Sequence, residues 1–509
     1  MKASMSSSRI NLIRGFLSIL SSSVLLIIIS LITTPILTRV LGTASYGDYA
    51  TVLAVFGISK VVSESGTFNG VRKYIAESRD QSEWDSKVIN FYTLFSVVLG
   101  SVVVLLLYLS YFTGALEAIF GDLSQSYTIL ISLMIVSSLF FGLFRGALMG
   151  LGYEHYSEPL DVINNLAFST IAVTLAVLGT GVIGPLIGKV TGFLLGAILA
   201  YILLVRKTDL KLFSLNLVDV SSNRLFDEKT KFGIYSIILS LLISSLYNVD
   251  ILLVQLFVGG SQVGYYKASL VIAEFLWFVP LAVQYSLVHS SSEMWANNQH
   301  EKITDISSKV SRYTLLLVLL MCIGLSILAD EFIPLYFGQQ YTPAVVPLLL
   351  LLPGVLGLSI ARPIFAIGQG KGALRSLILA TAAAAVINFL LNLILIPQYG
   401  MNGAAIATSI GYGSMLIFHY WCAISIGFDP LSNLMSKKIV LIAAITYPIL
   451  FVVESTIRSD LTSLVVIPIL GLLIYIILAL RWKVIEQDDV YRLPLTNNRI
   501  EKILSILRL

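Results

Sequence analysis

The sequence predicts an all-α integral membrane protein of about fourteen spanning helices, and three observations lead there. Of its 509 residues 57% are hydrophobic and only 12% are charged, with a mean hydropathy of +0.88. A soluble domain carries about 25% charge, so these few polar side chains cannot clothe a water-facing surface. Apolar runs of membrane length recur along the whole chain, and basic residues fall between them on alternate sides.

One crossing of the hydrocarbon takes roughly 20 apolar residues at about 1.5 Å of rise each. The basic N-terminus (Lys2, Arg9, Arg14) leads into an apolar run from Phe16 to Leu41. That run exceeds a signal-peptide core and has no small-residue cleavage site, so it is the first span. Further spans are expected near 47–68, 88–112, 127–150, 159–179 and 182–205. The later ones lie near 232–258, 263–289, 313–329, 344–367, 373–396, 402–427, 438–457 and 461–481. Pro35, Pro280 and Pro353 fall inside spans, where neighbouring helices can satisfy the backbone groups that proline frees.

Orientation follows from the positive-inside rule. With the N-terminus in the cytoplasm, 26 of the 33 lysines and arginines fall in inner segments. Only Arg458 is clearly in an outer loop, and Arg39 stands at the outer border. A wrong span count would scramble the alternation downstream of the error. Fourteen spans with both termini cytoplasmic, in the cytoplasmic membrane, is the consistent reading.

Several chemistries are excluded. The two cysteines, Cys322 and Cys422, lie inside apolar stretches and support neither a disulfide scaffold, a zinc site nor a thiol nucleophile. Gly188-Lys189 and Gly370-Lys371 lack the spacing of a nucleotide-binding loop. The four histidines are scattered, and His289 and His419 read as helix-packing residues. Outer loops are short, the longest being Phe112–Ser126, which argues against a folded external catalytic domain. At the C-terminus Ile500, Ile503, Leu504 and Leu507 share a face of Asn497–Leu509, as in an interfacial helix.

The chain repeats itself. Gly42, Gly47 and Tyr49 match Gly259, Gly264 and Tyr266 at an offset of 217, and Gly181, Gly184, Ile187 and Gly192 match Gly400, Gly403, Ile406 and Gly411 at 219. Glycine-rich turns can coincide by chance, but two matches in one order at nearly one offset argue for duplication. Six spans separate the copies, so the halves share one orientation, as in transporters whose two halves rock around a central site. The expected organisation is a six-helix bundle at 1–205, an amphipathic connector at 206–231, a second six-helix bundle at 232–428, and two further helices with the tail at 429–509.

Ionisable groups at membrane depth cost on the order of 2.5–3.5 kcal/mol each, and they mark candidate sites. Arg145 and Arg362, again 217 apart, would suit the phosphates of an anionic cargo if they face a cavity, or would snorkel to lipid phosphates if they do not. Lys189 and Lys267 can add positive charge, and Arg39 is placed for surface anchoring or cargo contact. Lys60 and Glu64, one turn apart, read as an intrahelical ion pair, which would still mark a polar pathway if it faced the lumen. Asp250 and Glu274 could carry a proton or coordinate Na⁺, or make structural hydrogen bonds.

Specific stretches resemble polysaccharide-transport members of the multidrug/oligosaccharidyl-lipid/polysaccharide exporter superfamily. They are Thr38-Arg39-Val40-Leu41-Gly42 with Tyr46-Gly47-Asp48-Tyr49, Val249-Asp250-Ile251 with Gly264-Tyr265-Tyr266, and Lys231-Phe232-Gly233. The resemblance runs to about residue 430, and its motifs identify the fold better than the substrate. It implies a flippase for a lipid-linked oligosaccharide or polysaccharide precursor rather than an enzyme, with glycan assembly proteins as partners and no nucleic acid. No cofactor is expected beyond coupling to H⁺ or Na⁺. A cation-coupled multidrug exporter of the same superfamily is the alternative, and a membrane glycan polymerase or ligase is less favoured.

Overall fold

A computed structural model describes residues 2–64, 66–77, 84–208 and 223–486. Among them the backbone is almost entirely α-helical, with no strand, as burial in lipid demands of any open chain. The connector expected at 206–231 lies largely, and the helix expected at Asn497–Leu509 wholly, outside the described residues.

The helices are α1 (Lys2–Glu64), α2 (Thr67–Ala76), α3 (Trp84–Phe112), α4 (Ala115–Phe120), α5 (Ser124–Gly150), α6 (Glu154–Val177), α7 (Ile183–Lys207) and α8 (Asn223–Phe257). They continue as α9 (Gly260–Phe275), α10 (Phe278–Ala296), α11 (His300–Phe337), α12 (Val345–Gly370), α13 (Leu374–Ile426), α14 (Ser436–Thr456) and α15 (Asp460–Arg481). Among the described residues eleven helical runs are long and apolar enough to cross a membrane, and α9 with α10, bent by 52° at their junction, makes a twelfth.

Two of these runs, Val24–Ala76 and Leu374–Ile426, have 53 residues. At the α-helical rise that is about 80 Å, more than twice the hydrocarbon thickness. The first turns at Gly42 (φ 73°, ψ 177°), ahead of the break between α1 and α2, and the second at Gly400 (φ 57°, ψ −135°), in backbone conformations that glycine alone adopts freely. In α13, Asn388 donates to Thr408 and Thr381 lies against His419, so the chain doubles back about Gly400. In α1, Leu37 packs with Ala172 and Ala176 near the α6–α7 turn, whereas Phe56 meets Phe193 ten residues into α7. The chain therefore reverses at Gly42 as well. Counting each run as two crossings brings the total to fourteen.

The chain falls into two compact units, Met1–Lys267 with Ile396–Met401, and Ala268–Leu395 with Asn402–Leu509. In the first, α5, α6 and α7 pack around Ile131, Met134, Ile135, Leu143 and Ala147. Gly188 and Gly192 let α7 approach the α6 backbone, where added Cβ atoms would stand 2.9 Å from Ala172 N and 2.7 Å from Asn164 O. The duplicated turns meet within this unit. A Cβ on Gly47 would collide with the Gly260 carbonyl, and one on Gly264 would collide with the Thr43 carbonyl. Residues 260 and 264 are the repeat counterparts of 43 and 47, so the contact is reciprocal, as across a two-fold axis.

In the second unit α12 lies against α13 through Gly354 and Gly357, and α14 and α15 pack on α11 around Ile327, Ile442, Leu450, Ile467 and Tyr475. Arg312 of α11, 1% exposed, donates to Glu486 beyond α15 at 2.7 Å, with Lys309 3.4 Å from the same carboxylate.

Candidate functional site

The first unit encloses a cavity of about 380 Å³, lined by Lys60 and Glu64 of α1, Asn69 of α2, Phe141 and Arg145 of α5, Asp161 of α6 and Phe193 of α7. Each wall has a local cause. The i, i+4 spacing puts Lys60 and Glu64 on one face of α1, with Nζ and Oε2 3.6 Å apart. Gly142, one turn before Arg145, leaves room for the Glu64 carboxylate: a Cβ there would lie 3.4 Å from Oε2. Gly146 lets α5 close on Phe68, and the Arg145 guanidinium lies 5.6 Å from that ring centroid.

Arg145 is held by two carboxylates of α6. Its Nη2 donates to Glu158 Oε1 at 3.0 Å and stands 3.6 Å from Asp161 Oδ2. Positions 158 and 161 are three apart and so share a helix face. Lys189 of α7 stands over Phe168 at 4.2 Å and Phe193 at 5.7 Å, and Lys60 lies over Phe193 at 5.1 Å. Two ammonium groups thus share one aromatic ring, the geometry of cation–π attraction. The network balances three cations, Lys60, Arg145 and Lys189, against three carboxylates, Glu64, Glu158 and Asp161. Glu64 Oε1 and Arg145 Nε are buried without hydrogen-bond partners, leaving an acceptor and a donor unused at the cavity.

The other candidate residues are distributed. Asp250 is fully buried in α8, where its carboxylate accepts from the Tyr266 hydroxyl and, at 2.8 Å, from the Ile251 amide. Arg39 is exposed just before Gly42, and Lys267 is half-buried in α9. In the second unit Glu274 is half-buried near the end of α9, and Arg362 of α12 donates to Gln284 Oε1 at 3.1 Å and lies 4.8 Å over Trp277. Among the described residues no group of three or more His, Cys, Asp or Glu is placed to hold a metal ion. Cys322 and Cys422 are buried free thiols.

Two members of the network escape a reading that tracks basic residues and membrane-centred charges. Glu158 lies just before the fifth expected span and Asp161 just inside it. Their spacing of three, on the face that also carries Asn164, is the signal that could have found them.

Residues 12–275 match the family described as polysaccharide biosynthesis protein. The chain is 24% identical over 386 residues to a probable low-salt glycan biosynthesis flippase, Agl15, of Haloferax volcanii, covering 75% of this chain and 77% of that one. An uncharacterized membrane protein of Methanocaldococcus jannaschii is also 24% identical, over 396 residues, covering 74% and 75%. Among solved structures, the lipid II flippase MurJ in an inward closed conformation superposes with a TM-score of 0.71 at 17% identity, covering 95% of this chain and all of that one. An inward-facing multidrug resistance transporter of the MATE family gives 0.64 at 17% identity, covering 78% and 94%. At such identities the superpositions speak for the fold.

Proposed function

The chain belongs to the polysaccharide biosynthesis protein family, and from that premise we propose that it is a flippase carrying a lipid-linked oligosaccharide or polysaccharide precursor across the cytoplasmic membrane. The observation that carries this reading is the cavity of the first unit, which is lined by Arg145 and Lys60 with Lys189 beside them. Guanidinium and ammonium groups suit the phosphates joining lipid to sugar, and the aromatic walls suit the apolar faces of sugar rings. The names of the Haloferax relative and of MurJ support the same cargo class.

In this proposal two six-helix bundles, 1–205 and 232–428, rock about a central path, with both termini and the connector at 206–231 cytoplasmic and the helices within 429–509 as an addition. Arg362 serves the cargo from the second half, Arg39 and Lys267 serve it at the outer end, and Asp250, Glu274 and Glu64 are the candidates for coupling to H⁺ or Na⁺. No chemistry is performed on the cargo. Arg145→Ala combined with Arg362→Ala should abolish export of lipid-linked glycan from cells while the protein remains inserted. Full export by that double variant overturns the reading.

A second reading, a cation-coupled multidrug exporter, draws on Glu64 and Asp161 in the cavity lining and on the likeness to MATE transporters. Proteoliposomes that move an organic cation such as ethidium but no lipid-linked glycan would establish it in place of the first.

A further inference from the structure

The two carboxylates on Arg145 are not equivalent. Glu158 makes a hydrogen bond of 3.0 Å to Nη2, is 7% exposed, and is not part of the cavity lining. Asp161 is 3.6 Å away, beyond hydrogen-bond reach, and lines the cavity with 23% of its side chain exposed. One partner anchors Arg145, and the other merely neutralises it from the open side.

We infer that Glu158 is the positioning residue of Arg145, and that Asp161 is an internal counter-anion occupying the place where a phosphoryl group of the cargo binds. The inference rests on the flippase reading and deepens it. A guanidinium offers five donors in a planar fork, and the Arg145 side chain lines the cavity, 18% exposed, with one Nη2 donor given to Glu158, so the group has capacity for an entering phosphoryl oxygen. Exchange of Asp161 for a phosphoryl group keeps two anions on the guanidinium, Glu158 and one other. Binding beside a retained Asp161 would instead crowd a third negative group around one cation. Lys60 and Lys189, which share the Phe193 ring, supply further cations at the cavity for a displaced Asp161. Cargo then leaves when Asp161 returns to Arg145, which prevents the site from becoming a trap.

The full chain in nanodiscs, with farnesyl diphosphate as the binding probe and flipping in proteoliposomes as the kinetic one, tests this. Asp161→Asn removes the internal competitor, so it should bind farnesyl diphosphate about tenfold more tightly, the equivalent of about 1.4 kcal/mol. In flipping it should lower KM and kcat together, because release slows, whereas structural damage would raise KM. Asp161→Ser, which also removes the charge, carries the same expectation if the Asn variant does not fold. Glu158→Gln should weaken binding, with recovery in Glu158→Asp. If Arg145→Ala abolishes binding but neither Asp161 variant binds more tightly than wild type, the counter-anion role is wrong and the flippase reading stands. If Arg145→Ala binds and flips normally, the cavity is not the cargo site and the reading itself fails.

Discussion

The α6–α7 hairpin of the first unit and the α13 hairpin of the second are counterparts in the repeat, and both seat a glycine on an asparagine. A Cβ on Gly192 would stand 2.7 Å from Asn164 O, and one on Gly411 would stand 2.7 Å from Asn388 Cβ. Around this common crossing the polar chemistry differs. The first hairpin carries Glu158, Asp161 and Lys189 around the cavity, whereas residues 376–426 contain no Asp, Glu, Lys or Arg. The second hairpin is joined instead by buried neutral groups, Asn392 to Asn388, Asn388 to Thr408, and Thr381 beside His419. At membrane depth amides and hydroxyls act as glue between helices, whereas charges are tolerated where they pair and meet a polar space. The crossing is scaffold, and the charges on one copy make it a site.

The largest expected effect separates these two contributions. Arg145→Ala leaves Glu158 buried and unpaired, and should cost about 3 kcal/mol of stability. Arg145→Met combined with Glu158→Leu should restore most of that stability and none of the transport, as judged by thermal unfolding in detergent beside glycan export. Return of transport in the double variant would make the pair structural only. Next in size, Gly192→Leu and Gly411→Leu should each cost about 1–3 kcal/mol by overpacking the crossing. Equal losses in melting temperature support a shared scaffold, and an unaffected Gly411→Leu breaks the equivalence.

Smaller again, Asn388→Leu removes one neutral cross-helix bond and strands Asn392, at a cost of about 0.6–1.7 kcal/mol. Transport corrected for protein amount should stay unchanged. The smallest effect is a pH dependence outside the spans, where hydrogen bonding by Arg312, aided by Lys309, holds the Glu486 carboxyl below its ordinary range. A depressed folded-state value means the contact stabilises above the unfolded carboxylate range and is lost as pH falls through the folded value. Melting temperature should therefore drop on acidification, less steeply in Glu486→Gln, and identical slopes would remove the contact from consideration.

Much of the architecture can be read along the chain. The glycines at 47, 264 and 192 mark both the repeat and places where backbones touch, because only a residue without Cβ permits the approach, whereas those at 42 and 259 mark the repeat through their positive φ. Lys60 and Glu64 were readable as neighbours because helix spacing alone brings them together. Other partners were not. Arg312 counts as one more base at an inner loop, yet it is buried against Glu486, 174 residues away. Asp250 reads as a solitary acid until the Tyr266 hydroxyl is found above it.

Hydropathy, the alternation of lysine and arginine, and glycine periodicity belong to residues taken in line, and they were sufficient for fourteen crossings, a duplicated core and a shortlist of intramembrane charges. Which cation meets which carboxylate depends on the depth at which one helix is set against another. A slip of one turn, about 5.4 Å, would carry Arg145 from Glu158 to another neighbour while leaving every hydropathy window unchanged. Only the packing of α1, α5, α6 and α7 sets that depth, and with it the cavity.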